Sequence, residues 1–314
     1  MGVGVGLGLA QFPFAAADGF WQWIGLLEES GVDSVWQIDR MASNQPFLEC
    51  MTMLAAVAGA TKRLKFGMNV ASAGIRDPLL LARECATIDF LSNGRLLPAF
   101  GIGSIAGGAW EATGRPTRRR GKRTNEALEL IHRLWTEDSV TFEGEFFQYK
   151  NVCIAPKPVQ RAIPFWLGGS SPAAIARTAR YGTGWLAGLE TPDRIAPVIA
   201  GIKQAAIDAG RPIDNDHYGA GFPFRFGHWD DPVVRQASLA FEARSKRRAR
   251  DYLAVGDAQD IIHHLRGFVA AGAYKFVLRP IADGDADIMA QTRLLIDEVL
   301  PEVYSAAFEA SARS

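Results

Sequence analysis

Gly101 and Gly103 close a short apolar run, LLPAF, that follows the turn Ser92-Asn93-Gly94. A strand that ends on such a pair lets a ligand come close to the backbone, because no side chain stands in the way. Further on, Gly168-Gly169-Ser170-Ser171 joins another apolar run to a helical pattern. Free N–H groups at a helix start, together with two hydroxyls, suit a phosphate. The same residues also read as a plain serine N-cap. Asp39-Arg40 ends a third apolar run. The carboxylate can accept a hydrogen bond from a ligand and the guanidinium can stabilise a developing anion; a surface ion pair of little consequence is the other reading. RPTRRRGKR, residues 115–123, is the densest run of charge. It can hold an anionic group or serve as a solvated helix start. The five histidines are scattered, and His263-His264 is expected on an exposed helix face remote from these residues. No His, Cys, Asp or Glu set has metal spacing. No G-x-S-x-G elbow supports nucleophilic hydrolysis.

Residues so far apart need a scaffold, and the chain has the rhythm of one. Val3 to Ala10 alternates Gly with Val or Leu and reads as a close-packed strand. Asp18 to Gly31 reads as a helix, Ser34 to Asp39 as a strand, Phe47 to Ala60 as a helix and Leu64 to Ala71 as a strand. Pro78 opens the next helix, at a position where its missing N–H costs nothing. Leu80, Leu81, Cys85, Ile88 and Leu91 give that helix one apolar face, and Gly94 ends it in a left-handed conformation. LLPAF then reads as a strand covered on both faces. A glycine-rich loop precedes the helix 117–135. Alternation around Glu143-Gly144 predicts a hairpin over 140–156, outside the main sheet. Strands are expected at PFWLGG, GWLAG, Tyr218 to Phe226 and Lys275 to Leu278. Helices are expected over 171–182, 191–209, 258–271 and 285–303, with 230–251 helical and mostly solvated. Eight strand–helix units predict an α/β fold, a (β/α)8 barrel over residues 1–304, followed by a tail at 305–314. No GxGxxG follows the first strand, which argues against a dinucleotide-binding open sheet.

In such a barrel the site lies at the C-terminal ends of the strands. Position alone then selects Gln11, Asp39, Arg40, Asn69, Val70, Ala71, Ser72, Gly103, Ser104 and the loop on to Gly108, Gly168, Gly169, Ser170, Ser171, Gly188, Arg225 and Arg279. Phe12, Phe14, Trp110, Phe222 and Phe224 are expected to line an apolar pocket. Gln11, Trp110, Arg225 and Arg279 are expected to touch the substrate.

Composition narrows the function. Lys+Arg and Asp+Glu both total 34 in 314 residues. Zero net charge argues against nucleic-acid or anionic-membrane binding driven by overall charge. With 48% hydrophobic and 22% charged residues, the chain has the balance of a soluble globular protein. Three cysteines without a CxxC read as reduced thiols, so the cytoplasm is expected.

Five segments resemble, in the same order, the flavin- and deazaflavin-dependent oxidoreductases related to bacterial luciferase. They are SVWQIDR at 34–40, TIDFLSNGRLLPAFGIG at 87–103, RRGKRTNEALELIHRLWTEDSVTFEGEFF at 119–147, PFWLGGSSPAAIARTARYGTGW at 164–185 and VGDAQDIIHHLRGFVAAGAYKFVLRP at 255–280. The resemblance implies a bulge with a non-proline cis peptide at Asn69-Val70-Ala71, set behind the cofactor ring. It implies that Gly168, Gly169 and Ser170 contact the cofactor phosphate. It also implies a homodimer formed through the early helices and, for flavin members, a partner reductase. Two departures bear on activity. Deazaflavin sugar-phosphate dehydrogenases have His where this chain has Arg40 and a catalytic Glu where it has Ser104. Luciferase has a phosphate-gripping Arg in the loop that here reads Ser104-Ile105-Ala106. The expectation is therefore F420-dependent hydride transfer to or from a small organic substrate. An FMN-dependent monooxygenase and a non-catalytic flavin-binding protein are the alternatives.

Overall fold

The computed structural model describes residues 2–9, 11–160, 163–306 and 308. The expected strand end at Ala10 and most of the tail 305–314 lie outside them. Eight parallel barrel strands run Gly4–Gly8, Ser34–Gln37, Lys65–Met68 continued by Ala71–Ser72, Leu96–Leu97 continued by Ala99–Gly101, Trp166–Gly168, Gly184–Leu186, Tyr218–Ala220 and Lys275–Pro280. Each pairs with the next, and Lys275–Pro280 pairs back onto Gly4–Gly8, which closes the sheet. The expected (β/α)8 barrel is what forms, with helices between the strands. The antiparallel hairpin Val140–Glu143 with Gln148–Val152 stands as a separate sheet, as its alternation predicts.

Strand parity decides which residues fill the barrel, since alternate side chains point to opposite faces. Val5 and Leu7 face the helices and join the large outer core. Gly4, Gly6 and Gly8 face inward. The interior is filled instead by Trp36, Ala99, Trp166, Leu186 and Val277, with Val70 and Leu97 beside them. Two indoles in so narrow a space require glycine opposite them. A Cβ on Gly6 would lie 2.8 Å from Trp36 Nε1, and one on Gly184 would lie 2.6 Å from Trp166 Cε2. One on Gly67 would lie 2.8 Å from Trp36 and 2.2 Å from the Leu97 carbonyl oxygen.

Two elements differ from the sequence expectation. The helix Pro78–Leu91 is capped by Asp77, which accepts from the Leu79 and Leu80 N–H groups. Leu81, Cys85 and Ile88 are buried on it, but Leu80 and Leu91 are exposed, with Phe90 next to Leu91. The apolar residues are therefore spread wider than one barrel contact uses. Residues 230–251 form the helix Pro232–Ser245 and a short 3-10 turn, Ala249–Asp251, followed by an additional parallel strand, Ala254–Gly256. This strand pairs with Pro223–Phe226, which also pairs with the end of Lys275–Pro280. The segment has its own small core of Val234, Phe241, Tyr252, Leu253, Val255 and Ile281. His263 is exposed as expected, but His264 packs edge-on at 4.5 Å from Phe222, and burial lowers its pKa to about 4. Among the described residues no helix is long and apolar enough to cross a membrane.

The barrel interior has a direct test. Gly67→Ala drives a Cβ into a backbone carbonyl that cannot move aside, so it should cost about 1–3 kcal/mol or more in urea denaturation. Gly25→Ala, inside the helix Ala17–Glu29 with nothing within 4 Å of the added carbon, should instead stabilise by about 0.5–1 kcal/mol. Equal effects for the two would refute the packing argument.

Candidate functional site

Strand three is broken in two by Asn69 and Val70, whose shared peptide bond is cis. Asn69 N–H still donates to the Gln37 carbonyl at 2.8 Å, so the strand keeps its neighbour up to the break. Beyond it, Ala71 pairs with Phe100 and Ser72 with Gly101. The Val70 side chain turns inward beneath the mouth of the barrel. A Cβ on Gly101 would lie 2.8 Å from it and one on Gly168 3.4 Å. Glycines from strands four and five thus leave one valine-floored wall free of other side chains.

Asp39 fixes that wall. Its side chain is 2% exposed; Oδ1 accepts from Arg76 Nη2 at 2.7 Å, and Oδ2 accepts from the Ser72 N–H at 3.0 Å. The expectation that Asp39 contacts a cofactor meets a carboxylate already occupied by donors on the bulge side. Arg76 also reaches Glu49 at 2.8 Å, and Glu49 caps the helix Cys50–Ala60 by accepting from Thr52 N–H. Burial alone would raise the Glu49 pKa. The Thr52 and Arg76 hydrogen bonds outweigh that and hold it at about 2, below its ordinary 4.5.

Next to the wall, Gly103 takes φ of 70°. A Cβ there would lie 2.7 Å from Ser72 Oγ and 3.3 Å from Trp110 Nε1. Trp110, on the short helix Ala109–Ala112, is 1% exposed, and its indole N–H has no partner among the described residues. Ser104 is exposed and accepts from the Ala106 N–H. At the end of strand five, Gly169 has φ of 110°, and its carbonyl accepts from Trp185 Nε1 at 2.8 Å. Ser171 caps the helix Pro172–Tyr181 by accepting from Ala174 N–H. The Ala174 and Ile175 N–H groups also reach the Ser171 carbonyl, and Pro172 has no N–H, which leaves the Ala173 N–H as the first-turn donor without an acceptor among the described residues. Ser170 is exposed beside them.

On the side of strands one, two and eight, a cavity of ≈ 600 Å³ opens, a size that suits a small ligand. Gln11, Arg40 and Arg279 line it, as their positions predict. Parity explains the arginines. Ser34, Trp36, Ile38 and Arg40 share one face of strand two, and Lys275, Val277 and Arg279 share one face of strand eight. The helix Pro232–Ser245 roofs the cavity with Val233, Gln236, Ala237, Ala240, Phe241 and Arg244. Those positions recur at helical spacing, a signal present in the sequence but submerged in a charged segment. Other expectations fail here. Phe222 and Phe224 are fully buried, and Phe12 and Phe14 pack on Phe20. Trp110 stands at the glycine wall instead of in the cavity. Arg225 turns to Asp287 at 2.8 Å and to the Ile281 carbonyl. The aromatic residues in the lining are Phe47, which lies under Arg40 at 4.6 Å, and Phe241.

The chain is thus a closed (β/α)8 barrel with a glycine-cleared wall, a glycine–serine loop at a helix start and a cavity at one mouth. The chain belongs to the luciferase-like monooxygenase family, whose model matches residues 5–275. It is 34% identical over 168 residues to an uncharacterized protein of Mycobacterium tuberculosis, a match covering 53% of this chain and 57% of that one. The chain thus spans little more than half the length of that relative. It is 25% identical to an F420-dependent glucose-6-phosphate dehydrogenase of Amycolatopsis mediterranei, covering 88% of this chain and 91% of the other. Its fold matches that of an F420-dependent secondary alcohol dehydrogenase solved with an F420–acetone adduct, with a TM-score of 0.84 and 20% identity, covering 97% and 100% of the two chains.

The Asp39–Arg76–Glu49 network predicts an acid signature. Glu49 binds its proton more weakly in the fold than in the unfolded chain. Its stabilising contribution is therefore full above pH 4.5 and is lost as pH falls from 4.5 towards 2. The side chain is 49% exposed, so solvent screening keeps the effect small. Glu49→Gln should flatten the fall in urea midpoint between about pH 5 and about pH 3. A variant with the wild-type slope would contradict this.

Proposed function

We propose that this chain is an F420-dependent oxidoreductase that transfers hydride between the deazaflavin and a small organic substrate. The carrying observation is the arrangement of the mouth. The valine-floored wall and the loop 168–171 occupy the ends of strands three to five, and the cavity opens at strands one, two and eight. A flat ring laid along the wall then presents an edge to whatever fills the cavity.

The residues present fit such a cofactor. The loop Gly168–Ser171 and the helix start behind it would hold its phosphate. Val70 would back the ring from inside the barrel, with Gly101 and Gly103 letting it approach the backbone. The unpartnered Trp110 N–H at Gly103 is a donor still to be satisfied. When bound, F420 supplies the hydride chemistry, and the protein supplies position and electrostatics. Arg40, a fixed cation in the cavity, stabilises negative charge that develops on a substrate oxygen. With Arg at 40 and Ser at 104, sugar oxidation of the dehydrogenase kind has neither its His nor its Glu here.

The basic run 115–123 supports F420 over FMN. Arg119 pairs with Glu145, and Arg123 donates to the Gly74 carbonyl and lies over Phe147 at 4.4 Å. Arg118 and Arg120 have no ion pair among the described residues. They stand at the start of the helix Arg120–Thr136, which meets the helix after strand five through Asn125 and Arg177. That contact supports a path for an oligoglutamate tail from the loop 168–171 towards these two cations. We also propose a homodimer in the reducing cytoplasm. The helix Cys50–Ala60 exposes Thr52, Ala56 and Ala60, and its neighbour exposes Leu80, Phe90 and Leu91, which leaves an apolar patch to cover.

Fluorescence quenching should give a lower dissociation constant for F420 than for FMN, and one that rises with salt. Changing Arg118 and Arg120 together to Ala should weaken long-tailed F420 roughly 2- to 30-fold while sparing the tail-less core. Tighter binding of FMN would favour the flavin monooxygenase reading. Binding of either cofactor without turnover of any alcohol, aldehyde or ketone substrate would favour a carrier. Light scattering should give twice the 34.1 kDa chain mass; a monomer at micromolar concentration would reject the dimer.

A further inference from the structure

Three arginines line one cavity, and among the described residues no carboxylate pairs with them. Arg40 comes from the end of strand two, Arg244 from the last turn of the roof helix and Arg279 from the end of strand eight. None of the three makes an ion pair or a side-chain hydrogen bond among the described residues. Arg225, two residues beyond the start of the neighbouring strand, shows the ordinary alternative, with Asp287 and Asp231 both against it. The one acidic residue in the lining is Asp283.

Arg279 is half-buried, and Arg40 and Arg244 are exposed at the mouth. A cation drawn out of water is normally paired, and like charges lining one cavity repel. Both effects register on the side chains. Burial pulls the Arg279 pKa down to about 10. Burial and then the charge of Arg244 lower that of Arg40. Arg279 stays cationic at neutral pH, and an anionic ligand would supply the counter-charge that the cavity wall does not. The remaining walls say what else that ligand carries. Phe47, Leu189, Phe241, Leu253 and Ile288 are apolar.

We propose that the cavity takes a substrate with an oxyanion head, carboxylate or phosphate, on an apolar body, and that Arg40, Arg244 and Arg279 hold the head. The inference rests on the hydride-transfer reading for the fate of the bound molecule and on the cavity alone for its binding. The cofactor's own phosphate has its place across the mouth, at Gly168–Ser171.

Calorimetric titration of the full chain, with and without F420, tests this with three probes of one shape: phenylacetate, phenyl phosphate and neutral phenylacetamide. At least one anion should bind about tenfold or more tightly than the amide, as expected when charge-assisted hydrogen bonds are at stake. Which of the two anions binds better identifies the head. Arg279→Met and Arg244→Met should each weaken the anion about tenfold and leave the amide and the F420 dissociation constant unmoved. Arg244 sits at an exposed helix end, so its variant still decides the matter if Arg279→Met fails to fold. Equal binding of amide and anion, no anion binding at about 10 mM, or anion binding unchanged in the variants would each overturn the proposal. So would parallel loss of F420 and anion in both variants, because the arginines would then belong to the cofactor tail. A chain that binds the anion but not F420 would keep this inference and remove the cofactor reading.

Discussion

The structure depends on two indoles inside a closed sheet. Trp36 and Trp166 fill the barrel where smaller side chains usually meet in layers. Gly6, Gly8, Gly67, Gly184 and Gly219 on facing strands make room for them. A close-packed interior of this kind has no slack. It fixes the register of the strands, and with it the parity of every residue further up. Ile38 and Arg40 are inward because Trp36 is inward. Arg279 is inward because Val277 is. The chemistry of the mouth is set by packing two residues below it.

The glycine-cleared wall depends on a second constraint, at the break in strand three. A strand interrupted at Asn69-Val70 needs something to hold its far half in place. Asp39 does this from the neighbouring strand by taking the Ser72 N–H, while Arg76 and Glu49 carry the contact on to the start of the next helix. The same carboxylate therefore serves as structure for the wall and is occupied before any ligand arrives. A residue at the C-terminal end of a barrel strand can matter to a site by shaping the backbone that the ligand touches.

How much of this the sequence discloses follows from what kind of signal carries it. The strands and helices are legible because buried strands leave apolar runs and helices leave periodic ones, and each of those is local. The wall is legible at Gly101, Gly103 and Gly168, and the Asn69-Val70 cis bond only through resemblance, since no residue type encodes it. The cavity is half legible. Gln11, Arg40 and Arg279 follow from strand ends, but the aromatic lining does not. Phe222 and Phe224 have the composition of a pocket and the parity of the outer core. The roof helix reads as solvated because its charged residues mask a face of Val233, Ala237, Ala240 and Phe241. A ligand-facing stripe and a core-facing stripe look alike when the partner surface is unknown.

That roof has a consequence of its own. The helix Pro232–Ser245 buries only Val234 and Phe241, and the strand that follows closes a small core separate from the barrel's. It enters after strand seven and leaves before the last helix–strand unit, so the closed sheet and the glycine-cleared wall are complete without it. The segment can therefore be altered without touching the strand pairing beneath it, as a canopy can be changed over an unchanged hearth.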